Sequence, residues 1–169
     1  YSKFGMERVD DVHRELWGYF DDDNELSTGF FNEREKMHLE DVKGLIKGAF
    51  LLFYFVLGIF ILTLGFFIVK KEHEILGRGL SYSGIAIVAL VFLLILISLI
   101  DFNWLFTLFH VVSFDNDLWL LPVESRLILM YPNAFFFNIL FRIMGYSCLF
   151  GVVMIAMGYW IKKTFGKRK

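Results

Sequence analysis

Three long apolar stretches decide what this chain can fold into. They run over 46–69, 80–100 and 134–161, and each reaches the length of about 20 mostly apolar residues that a helix needs to cross a bilayer. Backbone polar groups inside lipid must be satisfied within their own segment, so the stretches predict membrane-spanning helices. Because 57% of the residues are hydrophobic and 19% aromatic, the chain as a whole fits this class. We therefore expect an all-α integral membrane protein, a small transmembrane helix bundle.

Positively charged connections predict the orientation of these spans. The sequence "KKEHEILGR" joins the first two stretches, and "KKTFGKRK" ends the chain. Since cytoplasmic loops retain lysine and arginine, both should lie in the cytoplasm. Segments 1–45 and 101–133 then share the outer face. An outer N-terminal segment must itself cross the membrane, so we expect a further span before Tyr1, which makes four spans in the parent protein.

The outer segments have the patterns of interfacial helices rather than of ordinary loops. Val9, Val12 and Leu16 recur at helical spacing and form one apolar stripe, which is typical of a helix that lies flat on a membrane surface. A second stretch, 118–137, is apolar but interrupted by two prolines, so it is expected to dip into the interface. The expected organisation is an extracellular layer of interfacial helices at 1–45, a span at 46–69, a cytoplasmic loop at 70–79, a span at 80–100, an extracellular interfacial cap at 101–133, a span at 134–161 and a cytoplasmic tail at 162–169.

Small residues near the start of the first span suggest one close helix contact. Gly44 and Gly48 are four residues apart, and such spacing lets another helix approach the backbone closely.

Charge and cysteine content exclude several function classes. The net charge of −1 gives no field that would recruit nucleic acid. Cys148 is the single cysteine, so an internal disulfide and a cysteine metal cluster are excluded. Its place near the middle of a span disfavours a thiolate nucleophile. The serine-hydrolase elbow, the zinc-protease helix and the phosphate-binding loop are absent from the sequence.

Two histidines stand where the chain meets the outer membrane boundary. His38 precedes the first span, and His110 follows the second by a similar distance. At one depth the two imidazoles could meet, and imidazole is suited to proton transfer near neutral pH. Asp41, three residues after His38, could orient or charge that ring. Asp115 could do the same for His110, although a capping or turn residue is an equally good interpretation of Asp115.

The remaining polar residues divide into candidate ligands and bystanders. Arg126 and Arg8 are candidate partners for a carbonyl oxygen or a carboxylate, because a guanidinium presents a rigid fork of donors. His13 lies among acidic residues and is expected to be solvated, and His73 is expected in the cytoplasmic loop. An isolated interfacial histidine is itself often only a hydrogen-bonded surface residue.

The order of motifs resembles a known family. "RVDDVHREL" is followed by "FNEREKMHLEDVKGL", a span, and then "LFHVVSFDNDLW" and "LILMYPNAFF". This resembles the lipoprotein intramolecular transacylase (Lit) family of Gram-positive bacteria over Arg8 to Phe137, and the two histidine motifs are its most specific part. The family's histidines correspond to His38 and His110.

The resemblance implies a reaction inside one substrate. Lit enzymes move the sn-2 acyl chain of a diacylglyceryl lipoprotein onto the α-amino group of the lipoprotein's own N-terminal cysteine, which gives the lyso form. The implied partners are a diacylated bacterial lipoprotein and membrane lipid, no cofactor or metal is needed, and the implied location is the bacterial cell membrane with the active site at the extracellular face. A cap over the site would limit water and thereby hydrolysis.

Two other function classes remain open at this point. Paired histidines could bind haem or a divalent metal, with Asp41 and Asp115 as further ligands. The outer cap could also belong to a non-catalytic membrane protein that binds another protein.

Overall fold

The structure, a computed structural model, describes the backbone of residues 6–21, 25–26 and 29–166, with side chains from residue 9 onward. Within these ranges the chain is helical and contains no strand. The helices are α1 (Met6–Asp21), α2 (Glu33–Val69), α3 (His73–Ser113), α4 (Arg126–Met130) and α5 (Asn133–Phe165).

Three of these helices, α2, α3 and α5, are long and apolar enough to cross a membrane. Each contains one of the three apolar stretches and extends beyond it: α2 begins before its stretch, and α3 continues past its own. Large apolar side chains along α2 are exposed, including Leu51, Phe55 and Leu62, as suits a helix surrounded by lipid. The expectation of an all-α membrane protein is confirmed.

The chain divides into two compact units, which we describe separately. The first unit combines residues 1–52 with 106–135, and the second combines 53–105 with 136–169.

The first unit is built around the apolar stripe of α1. Val9, Val12 and Leu16 are at least 95% buried. They pack in one cluster with Phe30, Leu39 and Met130 among others. Burial of such side chains contributes roughly 1.5–3 kcal/mol each. The stripe that the sequence assigned to a membrane surface therefore faces protein, because the neighbouring segments supply enough apolar surface to cover it.

The proline-interrupted stretch contributes to the same core. Ser125 caps the short helix α4 by accepting a hydrogen bond from the backbone N–H of Ile128 (3.2 Å). Capping of this kind turns the chain so that Leu127 and Met130 point into the core, where both are buried.

The second unit is held by a seam of small residues between α3 and α5. A Cβ atom added to Gly84 would lie 2.5 Å from the carbonyl oxygen of Gly151, and one added to Gly77 would lie 2.7 Å from that of Gly158. Only glycine allows backbones to approach this closely. No described residue outside the local backbone of α2 lies within 4 Å of a Cβ built on Gly44 or Gly48, so the close contact expected there stays a prediction.

Helix α3 is two helices joined at a kink. Asp101 has the non-helical angles φ −154° and ψ 91°, and its carboxylate accepts a hydrogen bond from the backbone N–H of Trp104 (2.9 Å). This is N-cap geometry. The first helical segment of α3 therefore ends before Asp101. A second segment begins after it and carries His110 near its end.

Candidate active site

His38 and His110 lie side by side in the first unit. The ring centroids of His38 and His110 are 6.0 Å apart and the ring planes are tilted by 33°. Their exposed fractions are 7% and 8%. Two buried imidazoles from distant parts of the chain thus meet, as the sequence predicts.

The local sequence around His38 explains where its helix begins. The side-chain oxygen of Asn32 accepts a hydrogen bond from the backbone N–H of Glu35 (2.9 Å), and the Glu35 carboxylate accepts one from the backbone N–H of Asn32 (2.8 Å). This reciprocal pair is a capping box. It fixes the first turn of α2, one turn before His38.

The same carboxylate holds a second helix. The other oxygen of Glu35 accepts a hydrogen bond from the backbone N–H of Leu127 (3.1 Å), in the first turn of α4. Glu35 is completely buried. The backbone N–H groups at the two helix N-termini replace the hydrogen bonds to water that the carboxylate loses on burial. The partial positive charge of a helix N-terminus also stabilises a carboxylate there.

The part of α2 around His38 also forms hydrogen bonds with the turn after α3. Arg34, one turn before His38, donates a hydrogen bond to the backbone carbonyl of Asp117. Asp41, one turn after it, accepts one from the side-chain amide of Asn116 (2.9 Å). These two contacts lie on either side of His38 and hold the turn that follows His110, which brings the two rings together.

One hydrogen bond fixes the tautomer of His110. Its Nδ1 atom lies 2.7 Å from the carbonyl oxygen of Phe106. A carbonyl oxygen only accepts, so Nδ1 must carry the proton and donate it. In the neutral ring the Nε2 atom then has the free lone pair, which is the requirement for a proton acceptor.

His38 has the complementary property. Its Nδ1 atom is buried and has no hydrogen-bond partner among the described residues. A buried polar atom without a partner costs free energy, so this nitrogen is available to a group that enters the site.

Burial sets the charge state of both rings. It lowers the pKa of His38 from its ordinary value of 6.5, the neighbouring His110 lowers it further, and the Asp41 carboxylate opposes both effects. Burial also lowers the pKa of His110, against the opposing effect of the hydrogen bond to Phe106. Both rings lie outside the apolar stretches 46–69 and 80–100. Both imidazoles are therefore biased toward the neutral form at neutral pH.

Aromatic side chains surround the pair. Around His110, the ring centroids lie at 4.3 Å for Phe106, 5.1 Å for Trp119 and 5.7 Å for Phe114. Phe114 also contacts His38 edge-on, at 5.3 Å. The arrangement offers one neutral base, one unsatisfied ring nitrogen and a largely apolar wall, which suits proton transfer to and from a lipid-borne group.

The sequence model of the lipoprotein intramolecular transacylase Lit matches residues 1–136. The chain belongs to the Lit family. A relative from Aquifex aeolicus (strain VF5), described as an uncharacterized protein, is 31% identical over 137 residues, which are 79% of this chain and 58% of that protein. The chain thus spans 58% of the length of this curated relative.

A solved structure supports the fold assignment. The in meso structure of the membrane integral lipoprotein intramolecular transacylase Lit from Bacillus cereus matches with a TM-score of 0.79 and 23% identity, over 92% of this chain and 73% of that one. At this identity the match shows that the two chains share a helical membrane fold.

The two carboxylates that their spacing suggested as partners of the histidines have different surroundings. Asp41 acts on His38 through its charge, while its carboxylate holds Asn116. Asp115 is exposed and makes no hydrogen bond or ion pair within the described ranges; the Phe106 carbonyl occupies the Nδ1 atom of His110 that Asp115 was expected to orient. The helix backbone therefore supplies the partner of the Nδ1 atom, and the expected role of Asp115 stays a prediction.

Arg126 contacts Phe30 and not the histidine pair. Arg126 donates a hydrogen bond to the backbone carbonyl of Phe30 and its guanidinium lies 5.2 Å from the centre of the Phe30 ring. It lines a separate pocket of about 320 Å³ with Asn32 and Glu124. Arg8 belongs to α1, but its side chain lies outside the described residues.

Several residues of this Lit-family site were not recognised from the sequence. The letters "NERE" at 32–35 are compatible with a capping box. The hydrogen bond that the second carboxylate oxygen of Glu35 accepts from Leu127 in α4 cannot be recognised from the sequence. Trp119, which the sequence did not mark as a site residue, lies against His110. His13, expected to be solvated, stacks on Tyr131 with ring centroids 5.5 Å apart.

Metal binding gains no support from this geometry. Among the residues whose side chains are described, no three histidine, cysteine, aspartate or glutamate side chains gather closely enough to hold a metal ion. The carboxylate of Asp41 is engaged by Asn116 rather than turned toward a shared centre with both rings.

Proposed function

We propose that this protein is a lipoprotein intramolecular transacylase that moves the sn-2 acyl chain of a diacylglyceryl lipoprotein onto the α-amino group of the lipoprotein's N-terminal cysteine. Membership of the Lit family supports the reaction class. The observation that carries the mechanism is the buried His38–His110 pair.

His110 acts as the general base. Its Nδ1 atom donates to the Phe106 carbonyl, so Nε2 is the atom that takes a proton from the attacking amine. An α-amino group has a pKa of about 8, close enough to that of an imidazole for efficient transfer. The lowered pKa of His110 keeps this ring in the unprotonated state that a base requires.

His38 serves the oxygen side of the reaction. Its unpartnered Nδ1 atom donates a hydrogen bond to the ester carbonyl as this becomes tetrahedral, or delivers a proton to the departing glyceryl oxygen. The charge of Asp41 favours the protonated form of this ring in particular. Because nucleophile and ester travel on one molecule, positioning supplies much of the acceleration.

The test is mass spectrometry of a lipoprotein's N-terminal peptide from bacteria with and without the gene for the full-length protein. We expect the lyso form only when the protein is present, and its loss with His38→Asn and with His110→Asn. Removal of one acid–base group should lower the rate by about 10²–10⁴-fold. His73→Asn is the matched control, since His73 contacts Phe165 in the second unit.

Two results would overturn the proposal. A diacylglyceryl peptide that persists unchanged in the presence of folded, membrane-inserted protein would remove the transacylase function. A fully active His110→Asn variant would remove this ring from the mechanism while leaving the reaction itself open. Metal analysis of the purified chain separates the metal-binding alternative, because the transacylase needs no bound ion.

A further inference from the structure

The rings around His110 come from two different parts of the chain. Phe106, Phe109 and Phe114 belong to the last turns of α3 or follow it directly, so their positions come with the helix. Trp119 reaches back from the succeeding turn and places its ring 5.1 Å from that of His110, tilted by 35°. Carbon atoms in contact lie about 3.5–4.0 Å apart, so this spacing leaves no room for a water molecule between the two rings.

Trp119 is the residue of the segment after Phe114 whose ring lies against His110. Asp115, Asn116 and Asp117 are exposed, whereas Trp119 is partly buried. The backbone on both sides of it is anchored: the N–H of Leu120 donates to the carbonyl of Asp117 (3.1 Å), and the N–H of Leu121 donates to the carbonyl of Trp119 (2.9 Å).

The same turn is tied to α2, which keeps the indole over the ring. Arg34 donates to the Asp117 carbonyl, and Asn116 donates to Asp41. The indole therefore covers one side of His110 as a held element and not as a loose surface group.

In the proposed reaction, the indole over His110 bears on which nucleophile attacks the ester. In aminolysis the amine nitrogen bonds to the ester carbonyl carbon, the bond from that carbon to the sn-2 glyceryl oxygen breaks, and the amine proton ends on the glyceryl oxygen. In hydrolysis a water oxygen forms the bond instead, and the products are a free fatty acid and a monoacylglyceryl lipoprotein with a free amine. Nε2 of His110 would activate either nucleophile, so the base alone cannot distinguish them.

We infer that Trp119 determines the reaction specificity of the site by keeping water from His110, so that acyl transfer to the amine prevails over hydrolysis. The inference rests on the proposed function and adds to it the residue that separates a transferase from a lipase. An intramolecular amine has a high effective concentration, but this advantage is retained only while bulk water is excluded from the activated ester.

The experiment measures the partition between the two products. The purified full-length chain in lipid nanodiscs is given a synthetic diacylglyceryl lipopeptide in water enriched in oxygen-18. Mass spectrometry then counts N-acylated lyso peptide against oxygen-18-labelled free fatty acid. For Trp119→Ala we expect the ratio of fatty acid to N-acyl product to rise at least fivefold, and for Trp119→Phe, which keeps a ring over the imidazole, we expect a ratio near that of the wild type.

Trp17→Ala is the matched control, because Trp17 lies in the same unit but is 73% exposed; its ratio should not change. If Trp119→Ala does not purify as a folded protein, Trp119→Leu takes its place, since it keeps apolar volume without the planar cover.

The outcomes distinguish this inference from the function on which it rests. A Trp119 variant that loses both products in equal proportion, or that leaves the ratio unchanged, overturns the inference while the transacylase reaction of the wild type stands. A wild-type chain that forms neither product removes the proposed function and this inference with it.

Discussion

The Nδ1 atom of His110 lies 2.7 Å from the backbone carbonyl oxygen of Phe106, four residues earlier on the same helix. The imidazole of His110 thus donates to a carbonyl oxygen of its own helix, and this hydrogen bond sets its tautomer. The consequence is that Nε2, on the other side of the ring, keeps a free lone pair without help from a carboxylate. A backbone carbonyl is a reliable partner for this purpose because no side-chain rotation can remove it.

The tautomer can be observed directly. Nitrogen-15 NMR of histidine-labelled protein at pH 8 should show a proton on Nδ1 and none on Nε2 for His110, since Phe106 offers only an acceptor. The signals are assigned with His110→Asn. A predominant Nε2-protonated ring would contradict the assignment of His110 as base.

Titration of the same signals tests the effect of burial on charge. Both rings should protonate at a pH below 6.5, because burial lowers the pKa of each. His110→Asn should raise the pKa of His38 toward 6.5 by removing a like-charged neighbour, and Asp41→Asn should lower it further. Midpoints above 6.5 for either ring, or opposite directions in these variants, would be incompatible with the site described.

The same shifts predict how stability depends on pH. Below pH 6.5 these imidazoles bind protons more readily in the unfolded chain than in the folded one, so the free energy of unfolding decreases as the pH falls from 6.5 through the lowered pKa values. Thermal unfolding in detergent between pH 5 and 8 measures this. In a variant with both His38→Asn and His110→Asn the acidic decrease should be smaller, and an unchanged slope would assign it to other groups.

Exchange of partners tests the contact between Asp41 and Asn116. Asn116→Asp should lower transacylase activity because two carboxylates then face each other, and loss of a hydrogen bond of about 0.5–1.5 kcal/mol corresponds to roughly 2- to 10-fold. The Asp41→Asn/Asn116→Asp double variant restores a donor opposite an acceptor and should recover part of the activity. No recovery, with both proteins folded, would mean that the contact does not hold the site together.

Replacement of Glu35 tests the two-helix cap. Glu35→Ala leaves the backbone N–H groups of Asn32 and Leu127 without their acceptor. Since an unsatisfied buried donor costs about 1–3 kcal/mol and only the Leu127 donor is fully buried, we expect a loss of at least about 1–3 kcal/mol. Glu35→Gln keeps one carbonyl oxygen, so its melting temperature should lie between those of Glu35→Ala and the wild type. Glu33→Ala is the control, since the Glu33 side chain is 88% exposed; a larger effect at Glu33 than at Glu35 would contradict the cap.

Methyl groups added to glycines test the seam in the second unit. Gly84→Ala would bring a Cβ atom to 2.5 Å from the carbonyl oxygen of Gly151, and overpacking of this kind costs about 1–3 kcal/mol. Gly79→Ala, on the same helix with nothing within 4 Å, should be neutral or stabilising by up to about 1 kcal/mol. Melting temperatures in detergent should therefore fall for the first variant only, and equal values would show that the helices do not meet there.

Much of the fold could be predicted from the sequence because the bilayer imposes a local rule. A helix must be apolar over its whole crossing, so 46–69, 80–100 and 134–161 can be recognised from composition alone. The expected depth of His38 and His110 in the membrane followed from their distance to these stretches, and this depth was enough to predict that the rings could meet.

The sequence alone does not decide which surface the apolar stripe of α1 faces, and the reason is physical. An amphipathic stripe such as Val9, Val12 and Leu16 fits a membrane surface and a protein core equally well, since both are apolar. Only the folded chain shows that Phe30, Leu39 and Met130 cover it.

The sequence by itself determined the helical membrane class and the position of the two imidazoles beside the apolar stretches. Each of these depends on residues that are close together in the chain. Tertiary structure decided how the imidazoles are held: Glu35 reaches Leu127, Arg34 reaches Asp117, and Asn116 reaches Asp41 across dozens of residues. Hydrogen bonds act over about 3 Å, so spacing along the sequence cannot indicate which distant donor meets which acceptor.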